Sequence, residues 1–223
     1  MPMSRVVFDF DGVFSTRDST IEWMLARMRE ESAGIPRALP WIPWAAGTVA
    51  VGDRTAPRAR LTKGLLARVT GRSPLAEVER ELEDCGRRLA RDESFVRGAA
   101  VEALGDHLER GDDVIVASAG MAPLLNAWFS ERGLDVDVLA SILGEDAQGR
   151  VRLLNHCFGD TKIDRLAERG WENWDIVYTD STHDLPLMRR GAHVGLVNPS
   201  ARMLNRVEGM LPRGTEMNVL HWR

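Results

Sequence analysis

Two aspartates separated by one residue follow directly on an apolar run near the N-terminus. The run SRVVFDFDGVFS places Asp9 and Asp11 at the end of a segment typical of a buried strand. Burial of an unpaired carboxylate is costly, so a core strand should not end in two of them without a partner. Side chains two residues apart in an extended chain point the same way. The pair can therefore face one cation together.

Further polar residues stand at the ends of other apolar runs. Ser118 ends the run DDVIVAS, Asp180 ends the run WDIVYTD, and Lys162 begins a helical pattern. Parallel strands of an open sheet place their carboxyl ends at one edge, where ligands bind. A cluster of carboxylates at such an edge favours Mg²⁺, which takes hard oxygen ligands together with water and substrate phosphate. The three or four acids expected at this edge, from among Asp9, Asp11, Asp180 and Asp184, therefore suit a bound Mg²⁺.

Apolar strands alternate with helical patterns over most of the remaining chain. We predict strands over 5–10, 112–120, 135–143, 174–180 and 193–198, and helices over 97–110, 121–132, 160–169 and 183–190. Residues 140–155 are typical of a hairpin. Continuous apolar strands separated by helices indicate a parallel sheet that is covered on both faces. The expected fold class is α/β, a doubly wound, Rossmann-like parallel sheet.

The connection between the first two strands is unusually long. About a dozen residues are enough to join parallel strands, whereas residues 19–94 form a much longer, mostly helical pattern at this point. An insertion directly after the strand that carries the aspartates suggests a helical cap over the site. We predict a core domain of residues 1–17 and 95–223, and an inserted helical cap domain of residues 18–94.

Composition and charge exclude several classes of protein. The chain has 223 residues, of which 44% are hydrophobic and 28% charged, and its net charge is −4. Such a balance suits a globular core and gives no electrostatic reason to expect a nucleic-acid partner. Two cysteines, Cys85 and Cys157, are too few for a disulfide framework, and the N-terminus does not form a signal peptide. We expect a cytoplasmic protein, and the sequence carries no signal for an oligomeric state.

The stretch from 34 to 52 reads GIPRALPWIPWAAGTVAVG and is rich in proline and tryptophan. Tryptophan favours membrane interfaces, so contact of Trp41 and Trp44 with lipid is one interpretation. Hydrophobic packing within the cap, or against the core, is the other. We favour packing, because the stretch lacks the dense basic face of an interfacial helix.

The polar residues resemble the four motifs of the haloacid dehalogenase-like superfamily of phosphohydrolases. Each motif alone is weak, but all four occur in order and in register with the predicted strands. The position of the insertion is similar to that in the subgroup with phosphoserine phosphatases and a phosphatidylglycerophosphate phosphatase. The matching residues are Asp9-Phe10-Asp11-Gly12, then Ser118, then Lys162 in GDTKIDRL, and finally Asp180 and Asp184 in YTDSTHDLPLM.

The resemblance implies a role for each matching residue. Asp9 would be the nucleophile that forms an aspartyl-phosphate, and Asp11 the general acid and base. Ser118 and Lys162 would hold the phosphoryl oxygens, and Gly12 is assigned to the same phosphate site.

The resemblance also assigns the metal ligands and one further contact. Mg²⁺ would be held by Asp9, the backbone carbonyl of Asp11 and Asp180, with Asp184 binding directly or through water. Asp18 stands where serine phosphatases carry a substrate-contacting glutamate, although it is equally a good N-cap for a helix that starts near Ser19.

The predicted function is an Mg²⁺-dependent phosphatase acting on a phosphomonoester. Its substrate would be a small metabolite such as phosphoserine, or a lipid head-group phosphate. One alternative is a phosphotransferase that uses the same intermediate and passes the phosphoryl group to an alcohol. Another is a ligand-binding protein without activity, because the same fold hosts many functions. The presence of both Asp9 and Asp11 argues against that second alternative.

Overall fold

The computed structural model describes residues 3–30 and 64–223. The strands in this part of the chain are β1 (Arg5–Phe8), β2 (Asp113–Met121), β3 (Asp137–Glu145), β4 (Val151–Asn155), β5 (Trp174–Thr179), β6 (Gly191–Val197) and β7 (Glu216–Leu220). The helices are α1 (Ser19–Glu30), α2 (Leu75–Arg91), α3 (Gly98–Glu109), α4 (Ala122–Glu131), α5 (Asp160–Glu168), α6 (Leu185–Met188) and α7 (Ala201–Glu208). A 3₁₀ turn, Thr182–Asp184, precedes α6, and residues 64–70 are also helical.

The seven strands form one sheet in the order β4-β3-β2-β1-β5-β6-β7. All neighbouring pairs are parallel except β3 and β4, which form the predicted hairpin. The first strand of the chain therefore lies in the middle of the sheet, between β2 and β5. This order brings the carboxyl ends of β1, β2 and β5 side by side.

Successive residues of β1 face opposite sides of the sheet, and both sides are covered. Val6 and Phe8 pack in a cluster with residues of α1 to α4, whereas Val7 packs in a second cluster with residues of α5, α6 and α7. All three side chains are fully buried. The predicted fold class, a doubly wound parallel α/β sheet, is confirmed.

Several boundaries differ from the prediction. The first strand ends at Phe8 and not at residue 10, so Asp9 and Asp11 lie in the segment after the strand. Phe10 is nevertheless fully buried, because its ring packs on those of Phe14, Trp128 and Phe129. Sequence analysis missed β7 and α7, which have few buried side chains.

The two places where the chain enters and leaves the predicted cap lie next to each other. Ser15 and Val96 form an antiparallel bridge. On either side of it the Thr16 N–H donates to the Phe95 carbonyl oxygen, and the Arg97 N–H donates to the Phe14 carbonyl oxygen, both at 2.8 Å. These bonds tie the residues after the aspartates to the segment that precedes α3. The limits of the cap domain, residues 18–94, stay a prediction.

Helix α2, which lies in the predicted cap, packs closely on α4 of the core. Gly86 permits the contact, because a Cβ atom there would lie 2.2 Å from the Leu124 carbonyl oxygen. Both helices contribute to the hydrophobic cluster that covers one face of the sheet. The described part of the insertion is therefore anchored on the core.

We expect Gly86→Ala to destabilise the protein by about 1–3 kcal/mol, the usual cost of overpacking a well-packed site. Gly105→Ala is the matched control, because Gly105 is also inside a helix but no atom lies within 4 Å of its added Cβ. The control should gain up to about 1 kcal/mol from higher helix propensity. Urea unfolding of both variants measures the difference. If Gly86→Ala and Gly105→Ala are equally stable, α2 and α4 can move apart without loss of stability.

Two predictions about membranes can be compared with the structure only in part. The stretch 34–52, with Trp41 and Trp44, lies outside the described residues. Among the helices of residues 3–30 and 64–223, we find none with the length and apolarity needed to cross a bilayer.

Candidate active site

The predicted site residues meet where the sheet topology places the ends of β1 and β5. The Asp9 N–H donates to the Tyr178 carbonyl oxygen at 2.9 Å, which continues the pairing of β1 with β5 for one residue beyond Phe8. Asp180 follows the end of β5 directly. Asp184 closes the 3₁₀ turn that comes next, and it is buried.

Lys162 connects these strand ends by two ion pairs. Its Nζ lies 3.0 Å from Asp9 Oδ1 and 2.8 Å from Asp184 Oδ1, and its side chain is 2% exposed. Lys162 occupies the third position of α5, where the helix begins directly after Gly159. The structure thus brings together Asp9, Lys162 and Asp184, although Asp9 lies more than a hundred positions from the other two in the sequence.

Burial and neighbouring charges shift the pKa values at this site. Burial raises the pKa of Asp9 well above its usual value; Lys162 opposes this rise, while Asp184 and Asp180 add to it. Burial alone would lower the pKa of Lys162, but Asp184 and Asp9 outweigh it and raise the pKa above its ordinary value. The lysine is therefore held in its charged form.

The carboxyl group of Asp11 is oriented by the backbone of the first residue of α1. The Ser19 N–H donates to Asp11 Oδ1 at 2.8 Å. Burial and the negative charge of Asp18 raise the pKa of Asp11 to about 8, although the bond from Ser19 acts in the opposite direction. A carboxyl group with a pKa near neutrality is suited to proton transfer in both directions.

Asp18 caps α1. Its Oδ1 accepts a hydrogen bond from the Ile21 N–H at 2.9 Å, as an N-cap side chain does. The interpretation of Asp18 as a helix cap is confirmed, whereas contact with a substrate stays a prediction.

Ser118 lies within β2, although the prediction placed it at the strand end. The strand continues to Met121, but its pairing with β3 shifts register between Ala117 and Met121. The Ser118 side chain is buried, and its Oγ accepts a hydrogen bond from the Gly120 N–H at 3.1 Å. Because Phe8 pairs with Val116, Ser118 lies close to the level of the aspartates at the sheet edge.

Gly12 allows the carboxylate of Asp180 to approach the backbone after Asp11. Its φ is +78°, and an added Cβ would lie only 1.8 Å from Asp180 Oδ2. Any side chain at this position would strain the backbone and would have to displace the Asp180 carboxylate. The chain therefore turns sharply at Gly12, while the contact of Gly12 with phosphate stays a prediction.

We expect Gly12→Ala to lower kcat/KM by about 100-fold, because displacement of a catalytic group by about 1 Å has effects of that size. Gly111→Ala is the matched control: Gly111 has φ +76°, but no atom lies within 4 Å of its added Cβ. The control should lose about 1 kcal/mol of stability from the strained backbone and keep its activity. Steady-state kinetics and urea unfolding of both variants test this. If Gly12→Ala and Gly111→Ala are equally active, the position of Asp180 does not depend on Gly12.

The charges at this edge of the sheet suit a divalent cation. Two carboxylates, those of Asp9 and Asp184, share one buried lysine, and the charges of Asp184 and Asp180 raise the pKa of Asp9 by repulsion. Among the described residues, no three Asp, Glu, His or Cys side chains already surround a common point as ligands. The donor chemistry nevertheless fits Mg²⁺, which binds a few carboxylates and fills its remaining positions with water.

Sequence analysis missed groups that support the site. Thr179 is buried, and its Oγ1 donates to Asp184 Oδ2 at 2.8 Å while accepting from the Ser181 N–H at 3.1 Å. The position of Thr179 directly before Asp180 is the one signal that could have indicated it. The backbone N–H of Ser19, which orients Asp11, leaves no signal in the sequence.

The fold is similar to that of several solved structures. A protein of unknown function from Bordetella pertussis Tohama I is 20% identical with a TM-score of 0.72, and the match covers 96% of this chain and 98% of that one. A phosphoserine phosphohydrolase-like protein from Francisella tularensis is 15% identical with a TM-score of 0.66 and coverages of 95% and 96%. A substrate-bound phosphoserine phosphatase is 14% identical with a TM-score of 0.58 and coverages of 97% and 95%.

Sequence comparison identifies the family. No curated protein matches the chain with significant similarity. The sequence profile of the haloacid dehalogenase-like hydrolases, however, matches residues 6–189, which include all four motifs. The chain therefore belongs to the haloacid dehalogenase-like hydrolase family.

Proposed function

We propose that the protein is an Mg²⁺-dependent phosphatase that hydrolyses phosphomonoesters through an aspartyl-phosphate on Asp9. The observation that carries this proposal is the buried Lys162, which holds both Asp9 and Asp184 in ion pairs at the carboxyl edge of the sheet. A fixed cation beside a carboxylate nucleophile is suited to a reaction in which negative phosphoryl oxygens approach that carboxylate.

Asp9 is oriented for attack through one of its oxygens. Its Oδ1 accepts from the Phe10 N–H at 2.8 Å and pairs with Lys162. We therefore assign Oδ2 as the oxygen that bonds to phosphorus, while the bond from phosphorus to the leaving oxygen breaks. Fixing the carboxylate by two contacts before the substrate arrives lowers the entropic cost of this attack.

Asp11 would transfer protons in both halves of the reaction. It donates a proton to the leaving oxygen in the first half. In the second half it takes a proton from the water that attacks the aspartyl-phosphate, so Asp9 and Asp11 both return to their initial states. The Ser19 N–H holds the Asp11 carboxyl group during both transfers.

Lys162 and Ser118 would bind the phosphoryl oxygens. Bound Mg²⁺, held by Asp9, the Asp11 carbonyl, Asp180 and Asp184, would neutralise the charge of the phosphoryl group. The predicted cap would exclude water during transfer and select the leaving group.

We further propose a small phosphomonoester or a lipid head-group phosphate as substrate. The similarity to structures described as phosphoserine phosphatase supports a small substrate. A panel that contains phosphoserine and a phosphatidylglycerophosphate, compared by kcat/KM, would decide between the two classes.

Release of p-nitrophenol from p-nitrophenyl phosphate tests the proposed function. We expect turnover with Mg²⁺ and none with EDTA, and Asp164→Asn should behave like the wild type, because Asp164 is exposed on α5. Absence of turnover on the whole panel would contradict the proposal. Analysis of the products with glycerol present separates a phosphatase from a phosphotransferase, because a phosphotransferase should make mainly glycerol phosphate and a phosphatase mainly inorganic phosphate.

A further inference from the structure

One buried hydroxyl connects the segments that carry Ser118 and Lys162. Ser141 lies on β3, and its side chain is fully buried. Its Oγ donates to the Ala119 carbonyl oxygen at 2.8 Å and accepts from the Cys157 N–H at 3.1 Å. The hydroxyl thus uses its donor and an acceptor position at the same time, each toward a different segment.

The first of these segments is a bulge in β2. Ala117 pairs with Leu139, and the next pairing joins Met121 to Ser141, so four steps along β2 match two along β3. Residues 118–120 therefore leave the ladder, which is typical of bulges next to active sites. The Ser141 hydroxyl supplies the bond that holds the Ala119 carbonyl oxygen in place of a ladder partner.

The second segment is the turn that leads into α5. Cys157 is fully buried, and its Sγ donates to the Leu139 carbonyl oxygen at 3.3 Å. From there the chain reaches Lys162 in five residues, through a turn in which the Lys162 N–H donates to the Gly159 carbonyl oxygen at 3.1 Å. The position of Cys157 therefore determines where this turn, and with it Lys162, begins.

We propose that Ser141 is a positioning residue that sets the distance between the two phosphoryl-binding residues, Ser118 and Lys162. This inference rests on the proposed function. Because the hydroxyl is fully buried, its removal would leave the Cys157 N–H without a partner. The Ala119 and Cys157 segments would then no longer be joined through one side chain, and errors of about 1 Å at a reacting group reduce rates up to about 100-fold.

The test compares Ser141→Ala and Ser141→Cys with Thr70→Ala as the matched control. Thr70 is also buried, and its Oγ1 donates to the Leu66 carbonyl oxygen at 2.9 Å, but it lies in the helical segment 64–70. The measurements are kcat and KM for p-nitrophenyl phosphate, inhibition by orthovanadate, the Mg²⁺ concentration for half-maximal activity, and the melting temperature.

For Ser141→Ala we expect kcat/KM and orthovanadate affinity to fall together by about 10- to 100-fold. The Mg²⁺ concentration for half-maximal activity should change less than the orthovanadate affinity, since the proposed metal ligands lie on other segments and are linked to Ser141 only through Lys162. A general loss of structure would not produce this selective pattern. Ser141→Cys keeps the size of the side chain but forms weaker hydrogen bonds, so it should lie between Ser141→Ala and the wild type.

These measurements distinguish a failure of the Ser141 proposal from a failure of the proposed phosphatase function. An inactive wild type that also fails to bind orthovanadate would contradict both. An active wild type with Ser141→Ala within twofold of Thr70→Ala would overturn the role of Ser141 alone. If Ser141→Ala does not fold, a folded Ser141→Cys with full activity and full orthovanadate affinity would overturn it as well.

Discussion

Asp9→Asn is expected to lower kcat by more than about a thousandfold and to leave the protein as stable as the wild type or more so. An amide is a poor nucleophile, and removal of a catalytic nucleophile alone has effects of this size or larger. Stability should not fall, because without metal the effects of burial, Asp184 and Asp180 together outweigh that of Lys162 and disfavour the ionised form of Asp9, and because Lys162 keeps its ion pair with Asp184. Steady-state kinetics with Mg²⁺ and thermal unfolding with EDTA measure the two effects.

Two controls make this prediction specific. Asp164→Asn has the same chemical change at an exposed position of α5 and should alter neither quantity. In the wild type, mass spectrometry after acid quenching should find one phosphoryl group on the peptide that contains Asp9. A variant with more than a tenth of the wild-type kcat, or a phosphoryl group on another peptide, would show that Asp9 is not the nucleophile.

The loss of activity without loss of stability that we expect for Asp9→Asn has a general cause. A site that must receive a phosphoryl group and a cation places several carboxylates together, which costs stability until the ligands arrive. In this protein the cost is visible as the raised pKa values of Asp9 and Asp11. Variants that remove one of these charges are thus expected to trade function for stability.

Much of the site follows from the ends of apolar runs. Val6, Val7 and Phe8 form a buried strand in the middle of the sheet, so the residues after them had to lie at its carboxyl edge. The same argument placed Asp180 beside Asp9, because Asp180 directly follows the buried strand β5. Continuous apolar strands are strong local signals, and parallel topology converts them into spatial proximity.

The remaining features depend on contacts between distant segments. The bulge at residues 118–120 is held by Ser141, and the orientation of Asp11 depends on a backbone N–H, so neither changes the local pattern of the sequence. The edge strand β7 has no continuous apolar run, because most of its side chains are exposed. Helix α7 did have a signal, the N-cap Ser200, whose side chain accepts from the Met203 N–H at 3.2 Å.

Lys162→Met is expected to be the most destabilising change at the site. Lys162 is buried and pairs with both Asp9 and Asp184, and removing one member of a buried ion pair typically costs about 3–5 kcal/mol. Activity should also fall by at least about 100-fold, the usual effect of removing one group that stabilises developing charge. Arg169→Met is the control at the end of the same helix, because its pair with Asp137 is largely exposed and contributes about 1 kcal/mol or less.

The loss of stability should depend on pH with a definite sign. Lys162 lowers the pKa of Asp9, so its removal raises a pKa that burial has already raised. The folded protein then binds more protons than the unfolded one, and its free energy of unfolding falls as pH rises above the unfolded value of about 3.9. In EDTA, the deficit of Lys162→Met relative to wild type should therefore be smaller at about pH 5 than at about pH 8.

Urea unfolding at both pH values measures this difference. If Lys162→Met loses the same stability at both pH values, the charges of the carboxylates do not contribute to the loss. The lost stability would then come from packing alone. A deficit confined to the higher pH would show that the lysine stabilises the fold chiefly as the counter-charge of Asp9. In that case Lys162, which we propose to bind the phosphoryl oxygens, also holds Asp9 and Asp184 together before any substrate binds.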